Sequence, residues 1–131
     1  MHIRHARCSC GGLAVHTEGE PVRVSVCHCL ACQTRSGSAF AAQARFPAAH
    51  VTVEGAGREY VRVNDEGRVA RFTFCPVCGV TVLYRLEAEP GQVAIPLGVF
   101  ADPAFPPPTT SVYGMRQHGW VRLADEIAQY D

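Results

Sequence analysis

Seven cysteines in 131 residues fall into three tight groups: C-S-C-G at Cys8 and Cys10, C-H-C-L-A-C at Cys27, Cys29 and Cys32, and C-P-V-C-G at Cys75 and Cys78. Unrelated buried cysteines would scatter along the chain, and a disulfide framework favours an even count and an oxidising compartment. Thiolate metal sites require this clustering. Zinc takes tetrahedral sulfur ligands at about 2.3 Å, and a short loop delivers two of them at little loop-closure cost. Two pairs and a triplet divide naturally as four plus three. Cys8, Cys10, Cys75 and Cys78 would close a structural site, while Cys27, Cys29 and Cys32 would hold a second ion with one open position, the pattern of catalytic zinc. Spacing alone leaves open a partition in which the triplet joins Cys75 and Cys78. Iron also accepts thiolates, although zinc suits this ligand set better.

Cys75-Pro76-Val77-Cys78 has a redox lookalike, the C-x-x-C that opens a helix after a strand. Here Gly79 and then V-T-V-L-Y-R-L follow, rich in β-branched and aromatic residues. That context predicts a zinc knuckle, with Gly79 allowing the tight turn that aims amide N–H groups at sulfur.

The remaining composition narrows the classes of function. Lys+Arg and Asp+Glu are both 12, and every cation is an arginine. With no lysine, Schiff-base and P-loop chemistry are excluded. With no basic excess, nucleic acid is not an expected partner, and thiolate sites loaded with zinc would stay net negative. The longest stretches free of charged residues, Phe72–Tyr84 and Pro103–Met115, fall short of the roughly 20 apolar residues of a membrane span. The start of the chain is basic with no apolar stretch behind it, so a signal peptide is not expected. The expectation is one zinc-binding domain over residues 1–131, cytoplasmic and without a membrane partner.

Hydrophobic periodicity is mostly two. Val22, Val24 and Val26 alternate with Arg23 and Ser25, and Ala70, Phe72 and Phe74 with Arg71 and Thr73. Strand-like runs also cover Leu13–Thr17, Ala39–Phe46, His50–Glu54, Arg58–Val63, Val80–Leu86 and Gln92–Phe100, with turn signals between them. About eight short strands predict a mainly β domain with little helix. Leu30–Arg35 and Leu123–Gln129 are the two candidate helical pieces, and Pro103–Pro108 reads as a rigid surface connection. Extending the alternation puts Cys27, Cys29 and Cys75 opposite the apolar positions, which predicts both metal sites at strand ends, on the face away from the core.

The three motifs in this order, Cys8–Gly11, Cys27–Cys32 with Gly37, and Phe74–Gly79, resemble the glutathione-dependent formaldehyde-activating enzyme family, which shares its domain with centromere protein V. Gly37-Ser38-Ala39-Phe40 and Trp120 add to the resemblance. It implies a β-tent of small antiparallel sheets. It also implies a structural zinc on Cys8, Cys10, Cys75 and Cys78, and a second zinc on Cys27, Cys29 and Cys32, whose occupancy and lability the sequence leaves open. The reaction implied is that of a carbon–sulfur lyase run in reverse, joining glutathione and formaldehyde into S-hydroxymethylglutathione. Its partners would be a small-molecule thiol and an aldehyde; a homodimer is compatible with this reading.

The chemistry is plausible from first principles. A metal-held thiol is a thiolate, the species that attacks a carbonyl, and a nearby donor can stabilise the alkoxide that forms. His28 lies between two ligands, but alternation turns it away from them, so a surface residue or a support for the ligands is expected rather than a proton shuttle. Arg35 stands where it can offset thiolate charge or grip a carboxylate of glutathione; a solvated surface arginine is the plainer alternative. A non-catalytic zinc module is the competing reading of the whole chain, since structural zinc supplies folding energy without any substrate.

Overall fold

The computed structural model describes residues 1–131. It contains strands β1 (Ile3–Arg7), β2 (Leu13–Glu18), β3 (Arg23–Cys27), β4 (Ala41–Pro47), β5 (Val51–Gly55), β6 (Arg58–Val63), β7 (Val69–Phe74), β8 (Thr81–Leu86), β9 (Gln92–Pro96), β10 (Thr110–Val112) and β11 (Ala128–Gln129), with one α-helix, α1 (Leu30–Ser36). The fold is mainly β, as the alternation predicts. A small antiparallel sheet has the order β1-β2-β5, and a larger one runs β11-β10-β3-β4-β9-β8-β7-β6. The larger sheet is antiparallel from β3 to β6 and parallel where β10 joins β3 and β11. No helix is long and apolar enough to cross a membrane.

The two faces of the larger sheet differ in kind. Side chains alternate along a strand, so Val24, Ala44, Phe46, Leu83, Val93 and Ile95 collect on one face, against Ala6, Leu13 and Val15 of the small sheet. Phe100 and Phe105 stack at 4.5 Å at the margin of this main core. Full burial of a side chain such as Phe46 stabilises by roughly 1.5–3 kcal/mol. The opposite face carries a much smaller apolar cluster, Ala70, Phe72, Tyr84 and Ala94. Buried polar groups surround it: Gln43 Nε2 donates to Ser25 Oγ at 2.8 Å, and Arg45 reaches the same oxygen at 3.2 Å.

Several sequence expectations are corrected. The run Gln92–Phe100 is not one strand, because it breaks after Pro96 into a 3-10 turn over Leu97–Phe100 that ends on the left-handed Ala101. Leu123–Gln129 forms no helix. Ala128 and Tyr130 instead donate their amides to the carbonyls of Thr109 and Ser111, adding β11 to the edge of β10. The proline-rich connection is not confined to the surface, since Phe105 is buried in the main core. β1 and β10 lie outside the alternating runs. In β1 it is Ala6 that is buried while Ile3 is exposed, and β10 has three residues, too few to show a period.

Candidate metal centres and the adjoining cavity

The triplet is assembled almost entirely by local structure. Cys27 ends β3, and Cys29 has the extended backbone of a helix N-cap. Its sulfur accepts the amide of Cys32 at 3.3 Å, the bond an N-cap side chain makes to the third residue of its helix. That bond brings Cys32 back over Cys29, and the three sulfurs lie within 4.8 Å of one another. Gly37, left-handed at φ 68°, then stops the helix. Without a cation the thiols compete for protons. The hydrogen bond from Cys32 pulls Cys27 down, whereas that same bond and burial push Cys32 up, and burial pushes Cys29 up. Three sulfurs that cannot all ionise beside one another suit a soft divalent ion.

The second group is built from two distant turns. In the first, the Cys8 amide donates to the Leu13 carbonyl across a turn containing the left-handed Gly11. In the second, Cys75 and Val80 close around Gly79 at φ 81°. Each turn aims an amide at sulfur: Leu13 N donates to Cys8 Sγ at 3.3 Å, and Val77 N to Cys75 Sγ at 3.4 Å. All four sulfurs lie within 4.8 Å of one another. The Cys8–Cys10 and Cys10–Cys75 separations are 3.7 and 3.5 Å, against about 3.8 Å for the edge of a tetrahedron with 2.3 Å zinc–sulfur bonds. Amide donors at Val80 and Cys10 draw the Cys78 thiol down to about 6. No helix opens at Cys75–Cys78, so the knuckle expectation holds over the redox one.

Both clusters can therefore hold zinc, and the geometry groups the cysteines as four and three. The expected placement is half corrected. Cys27 lies on the face of Ser25, away from the main core, but Cys8 and Cys75 are members of that core at 1% exposure. The cause is that Ala70 and Phe72 belong to the smaller cluster, whereas Thr73 pairs with Leu83 of the main core, so the face opposite those apolar positions, on which Cys75 falls, is the main core itself.

His28 is not a surface residue. It is fully buried, with Nε2 at 3.0 Å from Ser111 Oγ, its amide on Val112 O, and its carbonyl accepting from Gln33 Nε2. Burial, and the charge of His118 after it, lower its affinity for a proton. Its Nδ1 is buried without a partner. Gln33, which carried no sequence signal, links the helix to the carbonyls of His28 and Arg116 and to His118 Nε2. Trp120 is exposed and sits edge-on to His118, so its segment docks on the triplet's helix.

Arg35 is half-buried, its guanidinium 5.4 and 5.6 Å from the Phe72 and Tyr84 ring centres. Arg62 lies over the same Phe72 ring at 4.9 Å, and its charge favours the thiolate of Cys32. Burial pushes the Tyr84 phenol up to about 12, Arg45 opposing and Cys32 reinforcing the shift. Sequence reasoning missed Tyr84 and Arg62 because they reach this face from β8 and β6, the far half of the sheet. A cavity of about 500 Å³ is walled by residues that adjoin both clusters in the chain or in strand register, without any of the seven cysteines in its lining. Arg35, Ser36 and Ser38 wall one side and Gly79, Val80 and Thr81 another, while Ala41, the register partner of Cys27, lies between.

Comparison with known proteins follows this geometry. A family model described as "Glutathione-dependent formaldehyde-activating enzyme" matches residues 3–116. A solved structure of a Rhodobacter sphaeroides protein, a structural genomics target, is similar in fold, with TM-score 0.58, 19% identity, and coverage of 79% of this chain and 91% of that one. No curated protein matches.

Proposed function

The chain belongs to the glutathione-dependent formaldehyde-activating enzyme family, and on that premise we propose that it is a carbon–sulfur lyase-type enzyme joining a thiol, glutathione foremost, to a small aldehyde such as formaldehyde. The observation that carries this reading is the triplet. Cys27, Cys29 and Cys32 offer three ligands and no fourth, on the polar face of the sheet, and the helix they cap and the register partner of Cys27 help wall a cavity. A structural module has no need of an ion with an open position, whereas an enzyme does. The seven free thiols suit a reducing compartment, which supports a cytoplasmic setting.

When bound at the triplet, zinc would hold a substrate thiol as its thiolate, the nucleophile for an aldehyde carbon. Addition forms one carbon–sulfur bond, the carbonyl pair moves to oxygen, and that oxygen gains a proton, so the step needs no oxidant. The protein's own residues set the surroundings. Cys29 fixes the first turn of α1, and Ser111 holds His28 behind the ligands. Arg62 offsets thiolate charge, and Tyr84, kept protonated by its burial, presents a neutral donor on the same face. The zinc-loaded four-cysteine group would act in folding alone.

The competing reading, a non-catalytic zinc module, draws support from the structural bonds the triplet itself makes at the helix cap. Zinc-loaded protein assayed for S-hydroxymethylglutathione formation by NMR separates the two. The enzyme reading expects the adduct to form faster than without protein, and Cys32→Ser to remove that rate while the fold remains. A folded, fully loaded protein with no effect on the rate would leave the module.

A further inference from the structure

The guanidinium of Arg35 is held but not satisfied. Its central carbon lies 5.4 and 5.6 Å from the Phe72 and Tyr84 ring centres, within cation–π distance. Nε is buried and has no hydrogen-bond partner. No carboxylate lies within ion-pair distance of Arg35; the ion-paired arginines are Arg4, Arg45, Arg68 and Arg71. Arg35 also walls the cavity, whose lining holds no acidic residue but offers the hydroxyls of Ser36, Ser38 and Thr81. Gly79 and Gly98 keep the wall open, with nothing within 4 Å of an added side-chain carbon at either. The volume, about 500 Å³, is that of a small-molecule site.

We propose that this cavity is an anion subsite in which Arg35 grips a carboxylate of the thiol substrate, so that the protein selects acidic thiols over neutral ones. The inference rests on the thiol-binding reading above and names the substrate feature that the site recognises. A planar carboxylate matches two parallel N–H donors of a guanidinium. Arg35 lies one turn beyond Cys32 in α1, so a substrate whose sulfur is at the triplet would reach this subsite with a carboxylate a few bonds away. Arg62 then answers the charge of the thiols and leaves Arg35 for the ligand.

The test is titration calorimetry on zinc-loaded protein with three probes: glutathione, its neutral diester, and the thiol-free tripeptide with alanine in place of cysteine. Wild type should bind glutathione about 10-fold or more tightly than the diester. The thiol-free acid should bind more weakly than glutathione, yet still through Arg35. Arg35→Gln should equalise acid and diester by weakening the acid alone, and Arg35→Lys should recover part of the difference. Gly98→Glu, which sets a carboxylate in the cavity without touching the arginine, should also weaken the acids and spare the diester. Equal affinity for acid and diester in wild type overturns the subsite, as does an Arg35→Gln protein that loses both ligands alike, or the absence of binding by all three. Tripeptide binding that depends on Arg35 but gains nothing from the thiol would support the subsite and overturn the thiol reading instead.

Discussion

The two cysteine groups share a ligand type and differ in almost everything else. The four-cysteine group joins turns 65 residues apart and places two of its sulfurs inside the main core. The triplet spans six residues, caps a helix of about two turns none of whose residues is buried, and lies on the polar face, where that helix walls a cavity. A metal that ties distant chain segments into a core contributes to folding directly. A metal held by one local loop contributes little to the global fold and can be reached from solvent. The difference in placement, rather than in ligand chemistry, separates a folding site from a reactive one.

The largest effect should come from substituting the two groups in parallel. Cys75→Ser removes a core ligand of a structural site, where zinc is worth roughly 10–16 kcal/mol of apparent folding free energy in small domains. Cooperative thermal unfolding, followed by circular dichroism, should then be lost at 37 °C. Cys32→Ser should keep a cooperative transition within about 1–2 kcal/mol of wild type. If both variants unfold alike, the contrast between the groups is wrong. Metal analysis sharpens it further. Two zinc ions per chain are expected in wild type and one in Cys32→Ser, and a chelator should strip the triplet at least about 10-fold faster because three ligands hold less firmly than four. Release of both ions in a single phase would contradict this.

How much of this was legible in the sequence follows from how local each feature is. The triplet needed only a strand end, a cap and one turn of helix, so C-H-C-L-A-C displayed it whole. The pairing of Cys8 with Cys75 was suggested by counting but decided only by the sheets that carry the two turns together. The side on which Cys75 falls was misread because Ala70 and Phe72 look like core positions yet face the smaller cluster, and alternation does not reveal which of two apolar faces the main core occupies. The surface alternative for His28 failed for a related reason. Turning away from its neighbours' sulfurs aimed it at Ser111, on a strand 83 residues later, so "away" meant inward. β10 and β11 escaped because a two- or three-residue strand is defined by its neighbour's hydrogen bonds and not by its own pattern.

Smaller perturbations probe what stands behind the triplet. Ser111→Ala leaves buried His28 without its partner, which should cost about 1–3 kcal/mol and speed zinc loss from the triplet while the four-cysteine group keeps its ion. Equal loss from both groups, measured by elemental analysis after dialysis, would mean that Ser111 supports the fold in general. Tyr84→Phe is the mildest change. Stability should move by less than about 1 kcal/mol, and adduct formation should slow by about 10-fold if the phenol donates to the developing alkoxide. An unchanged rate by NMR would remove Tyr84 from the chemistry.

The parallel seam between β3 and β10 also sets an order in time. Cys27, Cys29 and Cys32 become neighbours as soon as a few residues adopt their turn, an event of short loops and fast closure. Ser111, 83 positions beyond His28, can meet it only after the chain between them has formed its sheets, a long closure of the kind that slows β-rich chains. The thiols of the triplet therefore meet early and gain their backing late. During synthesis they emerge as a flexible chelating loop and become a rigid site only once the last strands have docked.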